Sequence, residues 1–98
     1  METIRKFQLK IGKNHLRLPQ GAQALHVNEQ SKKLMMWVKL NTNVELTPKE
    51  RVFFVVATGS EIPDCNLKYI GTIHVAEWAN VFVFHVFEEI LEGSCKSS

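Results

Sequence analysis

Apolar residues fall at every second position along most of this chain, and nowhere do they settle into the three-and-four spacing of an amphipathic helix. A period of two puts successive side chains on opposite sides of an extended backbone, so the chain is expected to be built from strands. In TIRKFQLKI, Phe7, Leu9 and Ile11 share one side and Lys6, Gln8 and Lys10 the other. In HLRLP, Leu16 and Leu18 point inward and His15 and Arg17 outward. GKN between them reads as a turn, because Gly and Asn accept positive φ, and the two segments are predicted to pair as a hairpin. Lys6, Lys10, His15 and Arg17 would then share one wet face.

A turn at Pro19–Gly21 leads into AQALHVNEQ, with Leu25 and Val27 on one face and Ala24 and His26 on the other. In LMMWVKLN, Leu34, Met36, Val38 and Leu40 oppose Met35, Trp37 and Lys39. Polar connections, NEQSKK before it and TNVELTPKE after it, bound that strand. RVFFVVATG, LKYIGTIHV and VFVFHVFEE follow, rich in β-branched and aromatic residues. AEWAN is expected to be one helical turn or a wide hairpin loop, and EILEGSCKSS to begin as helix before fraying. The fold class is therefore mainly β: an antiparallel, strongly bent sheet or small barrel of about six to seven strands, with at most one or two short helical turns. Residues 1–92 are expected to form a single β-rich domain and 93–98 a polar tail.

Two of these strands are apolar on both faces. Val52, Phe54 and Val56 oppose Phe53, Val55 and Ala57; Phe82, Phe84 and Val86 oppose Val81, Val83 and Phe87. Such strands must be covered on both sides. With so little helix available, a second subunit is the preferred cover, ahead of the C-terminal segment or a long loop, and a homodimer is expected.

With 98 residues, 45% apolar and 22% charged, the chain has the make-up of an ordinary globular domain. Its net charge of +2 does not by itself imply nucleic acid. The charge is uneven: nine Lys/Arg against four Asp/Glu give +5 over residues 1–50, and three against six give −3 over 51–98. Such polarity suits an acidic partner or a second copy of the chain. Cys65 and Cys95 fit neither a disulfide framework nor a zinc spacing. No leader-like apolar run is seen in METIRKFQLK and no segment is long enough to span a bilayer, so a cytoplasmic location is expected.

Four constellations bear on chemistry. His74 and His85 flank AEWAN and would be near neighbours across a hairpin, but His85 lies in a row with Val83 and Phe87 and reads as a packed imidazole, not a metal ligand. Ser60 and Cys65 lack the strand-to-helix elbow or basic neighbour that activates a nucleophile, so no catalytic residue is assigned. ATGS and YIGT each hold one glycine beside a threonine; neither is a phosphate loop, and Gly71 reports a bulge or a close backbone approach. The basic residues of the N-terminal segments lack an interleaved aromatic, Phe7 pointing away, so nucleic acid is not expected. No cofactor or metal is assigned.

The ordered landmarks Pro19, Gly21 and Ala22, then Gln30, Trp37, Thr58-Gly59, Ile62-Pro63, Tyr69-Ile70-Gly71-Thr72 and Phe84-His85-Val86-Phe87-Glu88 resemble a family of short, functionally uncharacterised proteins from tailed bacteriophages and prophages. The resemblance runs from about Ile4 to Glu89, departing from the pattern at Ala57 and in the length of AEWAN. It implies phage origin and residence in the bacterial host cytoplasm, and no catalytic residue. The function expected is stoichiometric binding, foremost to a host protein such as an antiviral-defence component, through Trp37, Trp78, Phe87, Lys6, Lys10 and Arg17. The alternatives are a nucleotide-signal binder using Thr58, Gly59, Tyr69, Thr72 and His85 at a subunit boundary, or a minor structural or nucleic-acid role.

Overall fold

The structure, a computed structural model, describes residues 1–42 and 48–90. Among these, seven antiparallel strands form two sheets, neither closed into a barrel, and there is no helix. The strands are β1 Glu2–Leu9, β2 Gly12–Leu18, β3 Gln23–Gln30, β4 Lys33–Asn41, β5 Lys49–Ala57, β6 Leu67–Glu77 and β7 Asn80–Glu89. The three-stranded sheet runs β1-β4-β3 and the four-stranded sheet β2-β5-β7-β6. The loop TNVELTPKE lies largely outside the described residues, as do the segment expected to turn helical after Ile90, the 92/93 domain boundary and Cys95.

The expected β1–β2 hairpin does not form. β1 pairs with β4 and β2 with β5, so the chain leaves one sheet and enters the other between Leu9 and Gly12. Asn14 holds this corner. Its carboxamide oxygen accepts from the Lys10 amide at 2.8 Å, while its Nδ2 donates to the carbonyls of Lys10, Gly12 and Phe53. It is the one buried polar residue among those described, and its amide is satisfied by backbone alone. The basic row is consequently split: Lys6 stands on the three-stranded sheet, while His15 and Arg17 stand on β2, opposite Val52 and Glu50.

The inner faces of the two sheets share one core. Met36, Val38 and Leu40 of β4, Val27 of β3 and Leu9 of β1 meet Leu18, Phe53, Val55, Ile73, Val75 and Val86 of the other sheet. Burying each of the largest of these side chains contributes about 1.5–3 kcal/mol. β3 lies against β6 along the seam between the sheets. There Gly71 leaves room for Val27, whose Cγ2 lies 2.6 Å from where a Cβ on Gly71 would stand. The alternation in β3 breaks between Ala24 and His26, so Ala24 packs on the core and Leu25 is exposed, the reverse of the expected pairing of Leu25 with Val27.

The second face of β5 is covered within the chain. Val52, Phe54 and Val56 are buried and form a small cluster on which Cys65, Leu67 and Phe87 pack. The Lys13 ammonium sits 6.0 Å over the Phe54 ring. The second face of β5 thus meets Cys65, Leu67 and Phe87 of its own chain, whereas Val81 and Phe82 at the start of β7 stay exposed. Cys65 is disulfide-bonded, which the cysteine spacing did not lead one to expect.

Candidate functional site

Thr58, Tyr69, Thr72 and His85, separated by up to 27 residues, form one continuous row on the outer face of the four-stranded sheet. Tyr69 faces Phe87 and Gly71 faces Val86, so Ile70 is an extra residue in β6. In a regular strand residues three apart point to opposite faces; the bulge brings Tyr69 and Thr72 to the same one. Thr72 then stands opposite His85 in β7.

The hydrogen atoms of this row can be placed. The Thr58 hydroxyl donates to the Val83 carbonyl at 3.2 Å, so its oxygen must accept from His85 Nε2–H at 2.9 Å. His85 Nδ1 therefore accepts from the Thr72 hydroxyl at 3.2 Å, and the Thr72 oxygen accepts from Tyr69 O–H at 2.5 Å. Every donor runs one way, from Tyr69 to a backbone carbonyl. The Tyr69 ring packs edge-on against Phe87, with centroids 5.8 Å apart. Because the Thr58 hydrogen is committed to a carbonyl, His85 is not placed to draw it off, and the row does not supply an activated nucleophile. His74, opposite Val83, is diagonal to His85, and no group of three His, Cys, Asp or Glu suited to a metal occurs among the described residues. Gly59 lies just past the row with φ of +93° and turns the chain away from the sheet, Ser60 N–H donating to the Ala57 carbonyl at 3.0 Å.

The residues expected to form a protein contact do not gather on one surface. Trp37 and Lys6 stand opposite each other on the three-stranded sheet, and Lys10 lies just past the end of β1. Arg17 is on the edge strand β2, Phe87 is half-buried against Tyr69, and Trp78 is at the tip of the β6–β7 hairpin.

That hairpin forms the most exposed apolar feature of the described fold. β7 pairs with β5 only as far as Phe84 opposite Ala57, whereas its pairing with β6 continues to Asn80 opposite Glu77. A two-stranded ribbon therefore projects past the end of β5. AEWAN is neither a helical turn nor a wide loop: two residues, Trp78 and Ala79, close the hairpin. Trp78 is 98% exposed and holds φ at +58°, a conformation that disfavours a bulky side chain. Val81 and Phe82 beside it are 60% and 47% exposed.

The ribbon also has an open edge. In a two-residue hairpin the closing pair Glu77–Asn80 exchanges hydrogen bonds, so Phe82 bonds toward β6 while Val81 and Val83 turn their N–H and C=O the other way. The Thr58 amide, donating to the Val83 carbonyl at 2.9 Å, fits this phase. Val81, two residues further, presents the same groups beyond the last residue of β5. A groove of about 250 Å³ runs along this edge, lined by Ala57, Thr58, Val81, Phe82, Val83 and Phe84. Sequence reasoning placed Val81 and Phe82 on a strand apolar on both faces but did not name them as contact residues, because only the lengths of the pairings show that β5 stops short of them.

A second recess, of about 160 Å³, opens between the start of β3 and β6. Its Arg51 is committed: it forms a two-pronged pair with Glu88 at 2.5 and 2.8 Å and donates to the Ala22 carbonyl. That pair locks β5 to β7 and to the turn before β3, and leaves no spare cation on Arg51 for a ligand.

The family model described as "Domain of unknown function (DUF7352)" matches residues 1–94. No curated protein and no solved structure matches the chain.

Proposed function

We propose that this chain, which belongs to that family, is a non-catalytic binding domain that docks a protein partner on the β6–β7 ribbon. A segment of the partner would lie as an added strand beside Val81, continuing the line of β5 across the groove. The observation that carries this reading is Trp78, an almost fully exposed indole held at positive φ at the tip of a ribbon whose neighbouring Val81 and Phe82 are also exposed. A strained, exposed aromatic beside an unpaired strand edge is costly to a free protein, in backbone energy and in aggregation risk, and is accounted for by a surface that becomes covered. The resemblance to phage proteins makes a host protein, such as a defence component, the partner class to look for first.

The test is site-specific photocrosslinking inside bacterial cells, with the crosslinking side chain placed at Trp78, at Val81 or at the remote position His15. The reading expects one discrete adduct from Trp78 and Val81 and none from His15. Equal labelling from all three positions, or none from the ribbon, would contradict it.

A further inference from the structure

The outer face of the three-stranded sheet brings together an aromatic and cations that the alternation of β1 alone keeps apart. Lys6 of β1 pairs directly with Trp37 of β4, and His26 of β3 pairs with Trp37 from the other side, its ring centroid 5.8 Å from the indole at 39°. The alternation of β4 places Lys33, Trp37 and Lys39 on this same face. The register puts one carboxylate on it, Glu2, 3.8 Å from Lys39 at one end. The expectation that no aromatic joins the basic side chains therefore fails. Phe7 does point inward, but Trp37 takes the place that Phe7 leaves empty.

From this geometry we infer that the face binds single-stranded nucleic acid, independently of the ribbon. Two features select that occupant over an acidic protein. The cations flank a half-buried indole and an exposed imidazole, which offer stacking surfaces to bases. The side-chain NH2 groups of Asn28 and Gln30 on the same side of β3 offer donors to base edges, their oxygens accepting from the Glu29 amide and from Lys6. Lys33 and Lys39, six residues apart on one strand, are about 20 Å apart, the run of a few extended nucleotides. Lys6 lies between them on the neighbouring strand and donates to Gln30 at 2.5 Å, a contact that a phosphate can replace.

Titration of a Trp78→Phe protein with a short oligothymidylate reads this directly, because Trp37 is then the sole tryptophan. Binding should quench its fluorescence. With three lysines on phosphates, the logarithm of the affinity should fall with the logarithm of salt at a slope of about −2. Trp37→Ala should weaken binding by roughly tenfold or more and Trp37→Phe by much less, since the phenyl ring still stacks. Lys6→Ala with Lys39→Ala should flatten the salt slope while the circular dichroism stays that of the parent. No quenching at low salt would overturn the inference. So would equal affinity for duplex DNA or for polyglutamate, or a salt slope unmoved by the lysine substitutions.

Discussion

Val27 Cγ2 occupies the space that a side chain on Gly71 would need, 2.6 Å from the position of its Cβ. The contact joins β3 to β6 across the seam between the sheets, at the bulge that sets the facing of Tyr69 and Thr72. A β-branched valine has little rotamer freedom with which to step aside. Gly71→Ala should therefore cost about 1–3 kcal/mol in urea unfolding. Adding Val27→Ala should recover part of that loss, so the double variant is less unstable than the two single effects together imply. Strict additivity would show that the two residues do not meet.

The β3–β4 turn holds two residues in the left-handed region, Ser31 at +53° and Lys32 at +63°. Two-residue hairpins favour this conformation, but glycine or asparagine normally fills it. The Glu29 carboxylate, accepting from the Lys32 amide at 2.6 Å, helps hold the turn. Lys32→Gly keeps that amide and removes the steric cost, so it should stabilise the protein by about 0.5–1 kcal/mol, seen as a Tm raised by a few degrees. A lowered Tm would mean that the Lys32 side chain contributes contacts outweighing its strain.

The direction of the row from Tyr69 to Val83 requires the Nε2-protonated tautomer of His85. Long-range ¹⁵N–¹H correlation at a pH where the imidazole is neutral should show it. Thr58→Val removes the acceptor for Nε2–H and should shift the ring toward the other tautomer, while Tyr69→Phe should leave the tautomer unchanged. An Nδ1–H form in the parent protein would reverse the assigned donors.

Much of the architecture follows from alternation alone. Met36, Val38 and Leu40 are buried and Trp37 faces the other way, as the spacing in LMMWVKLN requires. Gly71 is both at a bulge and at a close approach, as a glycine inside YIGTI suggests. Alternation fails where a single inserted residue resets it, which is why Leu25 is exposed and Ala24 is not. It is also silent about which strand lies beside which. β1 and β2 look like a hairpin until Asn14 is seen to fasten a corner between sheets, and Lys6 looks isolated from aromatics until β4 is placed next to β1. The hydroxyl–imidazole residues were legible as a group, but not the bulge that aligns them. The ribbon was hidden because VFVFHVFEE reads as one uniform strand, whereas only its second half has β5 beside it.

An open β7 edge at Val81 that receives a partner strand has a sharp signature in native-state hydrogen exchange, read from two adjacent amides. In the free protein Val81 N–H should exchange almost unprotected, while Phe82 N–H, bonded toward β6, should be slowed. In the complex recovered by crosslinking at Trp78, Val81 N–H should become protected to a similar degree. A Val81 amide already protected in the free protein, or still exchanging freely in the complex, would rule out strand addition at this edge.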